Sequence, residues 1–177
     1  MALNKAQFFN NAKVKHEHAQ RISNLQFSDN SQFIVTISND LCKVWKIVQN
    51  LLGVACSIPG NLEPDLVEEG VLPVAAINNK CTVVAIYRGK LNFVLYEINE
   101  QESFKKKDTI NLRREIIANG YDEFNYTPGR DRVTEIRFIG GDSPSHLRVY
   151  MMIEDKSFVS DVKLVDNVSD WRPQDLY

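Results

Sequence analysis

Cysteine is scarce in this chain. Cys42, Cys56 and Cys81 are the three in 177 residues, an odd number with no CxxC spacing. That set supports neither a disulfide framework nor a zinc ribbon, and two of the three fall inside apolar runs, where a reduced thiol packs as a small hydrophobe. Long apolar runs are missing as well. None approaches the ~18 residues a membrane helix requires, and the opening segment MALNKAQFFNNAKVKHEHAQ has no apolar core of a secretory signal. An intracellular protein, cytoplasmic or nuclear, is the expectation. Charge of one sign is lacking too: the formal net charge is −2, with a hydrophobic fraction of 44% and an aromatic fraction of 10%. These values describe an ordinary globular chain, neither disordered nor supercharged.

Catalytic signatures are also wanting. No Ser, Cys or His sits in a nucleophile-elbow context, and Gly140, Gly141 and Asp142 make a loop without a phosphate-binding pattern. His16 and His18 share the spacing of one strand face, yet no nearby Cys, His or Asp completes a metal set. The expectation is a protein without catalysis, cofactor or metal.

What the chain does have is alternation. Ile22, Leu25 and Phe27 with polar neighbours read as a half-buried strand, and Phe33 to Ile37 as an apolar strand buried on both faces. Polar turns at Asp29 to Ser31 and Ser38 to Asp40 follow each. Cys42, Val44 and Ile47 flank Trp45 in a third strand, and Leu51 to Ile58 supplies a fourth that Pro59 and Gly60 stop.

The order His, strand, polar turn, strand, Ser-Asn-Asp and Val-Trp over residues 18 to 47 resembles one blade of a WD-repeat β-propeller. The resemblance implies a hydrogen-bonded tetrad of His18, Ser38 (or Thr36), Asp40 and Trp45. In it Asp40 orients the imidazole, the imidazole bonds the hydroxyl, and the hydroxyl reaches the indole N–H. The family's Trp-Asp pair is Trp45-Lys46 here, and the turn before Trp45 is one residue short. A meander with an ordinary buried Trp and a surface His is the alternative.

The rhythm repeats without the motif. Leu72 to Ile77, Cys81 to Tyr87, Leu91 to Ile98 and Phe104 to Ile110 are four further runs, with Tyr96 about where Trp45 stood. A third unit uses Val133 to Ile139, Leu147 to Ile153 and Phe158 to Val165, turning at Glu154 to Ser157. Between the last two units, Ile110 to Ala118 has helical residues and Asn119 to Arg132 is an irregular excursion. The expected class is all-β, with antiparallel four-stranded blades of a partial propeller. Residues 1–17 form an arm or short helix with a weak apolar stripe at Phe8, Phe9 and Ala12, 18–166 about three blades, and 167–177 a polar tail or linker.

Closed propellers take about four to eight blades, so three expose sheet faces and edges that something must cover. A protein partner, or the remainder of the propeller, is implied. A self-contained sandwich or barrel is the competing architecture. The functional expectation is a protein-interaction scaffold, the N-terminal part of a propeller in a multisubunit complex, with loops Asn61 to Gly70 and Gly120 to Arg132 as contact surfaces and Trp171 as an anchor. The rival is a nucleic-acid-binding β domain whose Lys105, Lys106, Lys107, Arg113 and Arg114 meet phosphates. Against it, no aromatic stacking pattern is interleaved, and lysines commonly protect an exposed sheet edge. A third reading is an enzyme whose active site spans this chain and another.

Overall fold

Eleven strands in three separate antiparallel sheets account for almost all regular structure in the computed structural model, which describes residues 18–49, 51–99, 103–118, 126–141 and 146–164. The first sheet orders β1 (Asn24–Phe27), β2 (Phe33–Ile37), β3 (Leu41–Val48) and β4 (Leu51–Pro59) side by side in chain order. The second does the same with β5 (Val74–Ile77), β6 (Val83–Gly89), β7 (Asn92–Ile98) and β8 (Phe104–Asn111). A short helix, α1 (Leu112–Ala118), follows, and the third sheet runs β9 (Arg132–Ile139), β10 (His146–Ile153) and β11 (Lys156–Lys163). Each sheet is a blade of a propeller-like arc, and the inner strands β1, β5 and β9 are neighbours on its concave side.

Two apolar seams hold the blades together. Phe33, Val35, Ile37, Cys42, Val44, Cys56 and Ile58 of blade 1 face Ala75, Ile77, Val84, Ile86, Val94, Tyr96 and Ile98 of blade 2. The opposite side of blade 2, with Tyr87, Phe93, Leu95 and Ile110, packs on Val133, Ile136, Phe138, Leu147, Val149 and Met151 of blade 3. Successive residues of a strand point to opposite sides, so the near-continuous apolar runs of β5, β6 and β7 supply both seams of the middle blade. The expected double burial of Phe33 to Ile37 holds at every position.

Burial raises the Cys42 thiol to about 12 and that of Cys81 to about 11, so both stay protonated packing groups. Polar ties reinforce the seams. Asn30 and Asn79 join the β1–β2 and β5–β6 turns by two hydrogen bonds of 3.0 Å, and the Arg88 guanidinium donates across the seam to the Ser38 and Asn39 carbonyls.

Third strands carry a shared irregularity. The β3–β4 register shifts between Val44 and Trp45, and the β7–β8 register between Leu95 and Tyr96. In each case the extra residue lies on the fourth strand, Ala55 of β4 and Lys107 of β8, so both aromatic residues stand beside a bulge in the neighbouring strand. Several strand boundaries differ from expectation by one or two residues, among them β5, which starts at Val74, and β6, which spans Val83–Gly89. Glu154 and Asp155 both have positive φ, a two-residue hairpin turn, so Lys156 and Ser157 already belong to the ladder and β11 starts two residues early. Gly60 is required where it stands, since a Cβ there would fall 2.1 Å from the Asn39 carbonyl oxygen.

Candidate functional site

Blade 1 contains a continuous polar relay. The indole N–H of Trp45 donates to Thr36 Oγ1 at 2.9 Å, and Thr36 Oγ1 lies 2.9 Å from His18 Nε2. His18 Nδ1 lies 2.5 Å from Ser38 Oγ, which donates to Asp40 Oδ1 at 2.6 Å. One assignment satisfies every member: a neutral imidazole protonated on Nδ1 donates to Ser38 and accepts the Thr36 hydroxyl proton on Nε2. Burial lowers the His18 pKa, with Asp40 opposing it, which favours that neutral form.

The wiring differs from the expected tetrad. Asp40 does not meet the imidazole; Ser38 stands between them, and Thr36 takes the indole. Two hydroxyls are used because the imidazole bridges strand β2 to the turn after it. Asp40 also accepts the Ala19 and Gln20 amides at 2.9 and 3.3 Å, which pins the chain entering the blade. Burial pushes its carboxyl upward, but the bonds from Ser38 and these amides outweigh that and hold it below its ordinary value. With both ring nitrogens of His18 engaged, no lone pair is left for a metal. His16 lies outside the described residues, and among those described no His, Cys, Asp and Glu group could hold one.

The end blades present sides with no described blade against them. On blade 1 this side carries Leu25 and Phe27, opposite Thr36 and Ile34 respectively, and then Lys43 and Trp45. Leu25 and Phe27 are 49% and 52% exposed. Lys43 Nζ stands 5.3 Å from the Trp45 ring centroid, a cation–π contact. On blade 3 the corresponding side is mixed: Ile139, Tyr150, Met152 and Val159 share it with two ion pairs. Arg148 grips Asp161 with two bonds of 2.7 Å, and Arg137 pairs with Glu135 at 2.5 Å. Between these ends, β1, β5 and β9 line a concave groove of about 500 Å³ with Leu25, Phe27, Ile77, Phe138, Asp29 and Arg137 on its walls.

Sequence reasoning placed Glu68 only in the 61–70 loop, as one of several acidic residues there, and gave it no role of its own. Its carboxylate accepts the Lys90 amide at 2.7 Å, the Gly129 amide at 3.2 Å and the Tyr126 hydroxyl. Burial and that bond raise the Tyr126 pKa far above its usual range. The loop over 61–70, the β6–β7 turn and the described end of the 120–132 excursion therefore meet at one carboxylate. Gly89, at φ +133°, is the detectable signal only in hindsight: a Cβ there would sit 2.2 Å from Glu68 Cβ.

The basic cluster is partly spent. Lys106 pairs with Glu63 at 2.9 Å and Lys107 with Glu97 at 3.5 Å, while exposed Lys105 shares β8 with them and exposed Arg113 and Arg114 belong to α1. Trp171 lies outside the described residues.

No known family profile matches the sequence, and no curated protein matches it. Solved structures do match in shape. Hsv2 of Kluyveromyces lactis is 13% identical with a TM-score of 0.51, over 90% of this chain and 48% of that one. A form of KlHsv2 with loop 6CD replaced by a Gly-Ser linker scores 0.52 at 11% identity, over 90% and 46%. The WD40 domain of SCAP from fission yeast scores 0.50 at 8% identity, over 89% and 32%. The fold is that of a WD-repeat β-propeller, and the chain spans less than half the length of each of these structures.

Proposed function

We propose that this chain is a non-catalytic protein-interaction scaffold, the N-terminal part of a WD-repeat-like propeller in a multisubunit intracellular complex. The observation that carries this reading is the exposed apolar margin of blade 1, Leu25 and Phe27, on a blade whose other side is fully packed. Such a margin gains stability only by being covered, at about 25 cal/mol per Å² removed from water. The relay of His18, Thr36, Ser38, Asp40 and Trp45 then serves as structure, holding the blade's inner strands and entering chain rigid while it docks. The loop surface joined at Glu68 supplies the variable contacts.

The experiment is size-exclusion chromatography of the tagged full chain from extracts of its own cells. The reading expects elution in an assembly much larger than one chain, and a shift toward the free chain when Leu25→Ser and Phe27→Ser are combined. Elution of the unaltered protein as a single chain would refute it.

A further inference from the structure

The turn that leads into blade 3 carries the pattern of a phosphoryl acceptor. Thr127, Pro128, Gly129 and Arg130 follow one another, so a hydroxyl residue is succeeded by proline, with a guanidinium three residues on. Proline leaves the main chain without an N–H donor just after the hydroxyl, and a cation at the third place gives a kinase an anchor for its own acidic groups. Ser143-Pro144 is the chain's other hydroxyl–proline step, and it has His146 where Thr127 has Arg130. Thr127, Pro128 and Gly129 are all exposed.

Carboxylates hold this turn closed. The Thr127 amide donates to Asp131 Oδ2 at 2.6 Å, and the Thr127 carbonyl accepts the Asp131 amide at 3.0 Å. Asp131 is fully buried and also accepts the Glu154 amide at 2.8 Å. From the other side, Glu68 takes the Gly129 amide at 3.2 Å and the Tyr126 hydroxyl. Thr127 therefore stands between two carboxylates whose charge already fastens its neighbours. Arg130, its side chain 37% exposed, pairs with Asp131 at 3.3 Å, and Arg132 donates to the Gly129 carbonyl at 2.7 Å.

We propose that Thr127 is a phosphorylation site for a proline-directed protein kinase, and that its phosphate unfastens the turn from Asp131 and Glu68. In the transfer, Thr127 Oγ1 forms a bond to the terminal phosphorus of a nucleoside triphosphate bound by the kinase. The bond from that phosphorus to its bridging oxygen breaks, the nucleoside diphosphate leaves, and the hydroxyl proton passes to a base on the kinase. A kinase takes its acceptor on an extended segment, so transfer captures the turn while it is open. Reclosure would then set a group of about −1.5 to −2 charge beside two carboxylates, and like charges oppose it. Arg130 is free to swing to the new phosphate, which takes its charge away from Asp131 and weakens the same clasp. The Gly129 and Tyr126 bonds to Glu68 belong to this turn and go with it. The site stands whether or not the loops around Glu68 contact a partner.

The test incubates the full chain with magnesium, ATP and a cyclin-dependent kinase, and reads the modified residues by mass spectrometry. Phosphate is expected on Thr127, lost in Thr127→Ala and Pro128→Ala and retained in Ser143→Ala. Residue-resolved amide exchange on the phosphorylated chain should show the Thr127 and Gly129 amides exchanging about tenfold faster or more, with β10 unchanged. No phosphate on Thr127, transfer undiminished by Pro128→Ala, or a phosphorylated chain whose Thr127 and Gly129 amides keep their protection overturns the proposal. If Pro128→Ala does not fold, Thr127→Ala and the exchange measurement decide.

Discussion

Blade 1 and blade 3 both end the described arc, and their outer sides differ in how charge is placed among apolar residues. Blade 1 offers Leu25 and Phe27 beside a buried Trp45; blade 3 offers Arg148 locked to Asp161 and Arg137 locked to Glu135. Each is the continuation of a strand alternation whose inward half is apolar, so the difference lies entirely in the outward half. The two ion pairs set among Ile139, Tyr150, Met152 and Val159 on blade 3 oppose burial, because charges removed from water must recover their solvation from new partners. An apolar side gains by default. The contrast makes the Leu25 and Phe27 margin of blade 1 the more apolar of the two ends at its inner strand.

Breaking the shared interior should dominate everything else. Phe93, fully buried in the seam between blades 2 and 3, should cost about 3–5 kcal/mol as Phe93→Ala, whereas Phe27→Ala should cost well under that. Urea unfolding of the two variants measures the gap. Next in size is Thr36→Val, which keeps the shape but strands the Trp45 indole N–H and the His18 Nε2 acceptor, for about 1–3 kcal/mol; the midpoint shift in the same titration checks it.

Acid should act through the same relay. The folded pKa of His18 lies below its ordinary 6.5, so the unfolded chain binds the proton more readily. That stability is full above about 6.5 and is lost as pH falls from there through the folded value; Asp40, also lowered, adds a second loss further into acid. Thermal melts at descending pH should show the decline, and His18→Gln should flatten its upper part. Smallest is Arg148→Ala on blade 3. The pair it breaks is 41% and 33% exposed at its two side chains, so a change of about 0–1 kcal/mol is expected in the urea midpoint.

Much of this was legible in the sequence, for reasons that particular residues make plain. Phe33 to Ile37 could only be a doubly buried strand, and Trp45 with its flanking alternation marked the third strand of a blade. The relay's members were all nameable, but its wiring was not, because two hydroxyls, Thr36 and Ser38, competed for one role and both were used. The hairpin at Glu154 and Asp155 was read too long because neither residue is the Asn or Gly that usually marks positive φ. Arg88 and Glu68 were visible only as turn and loop residues, without their partners. Their partners lie some fifty residues away, across a seam or under a loop, and no local pattern encodes such a distance.

The most direct test of the asymmetry is light scattering on the full chain across a concentration series, alongside Leu25→Ser/Phe27→Ser and Arg148→Ala/Asp161→Ala. The account predicts concentration-dependent association of the unaltered chain that the blade 1 pair abolishes and the blade 3 pair leaves intact. A monodisperse single chain at every concentration, indifferent to both pairs, would contradict it and describe a self-sufficient three-blade domain.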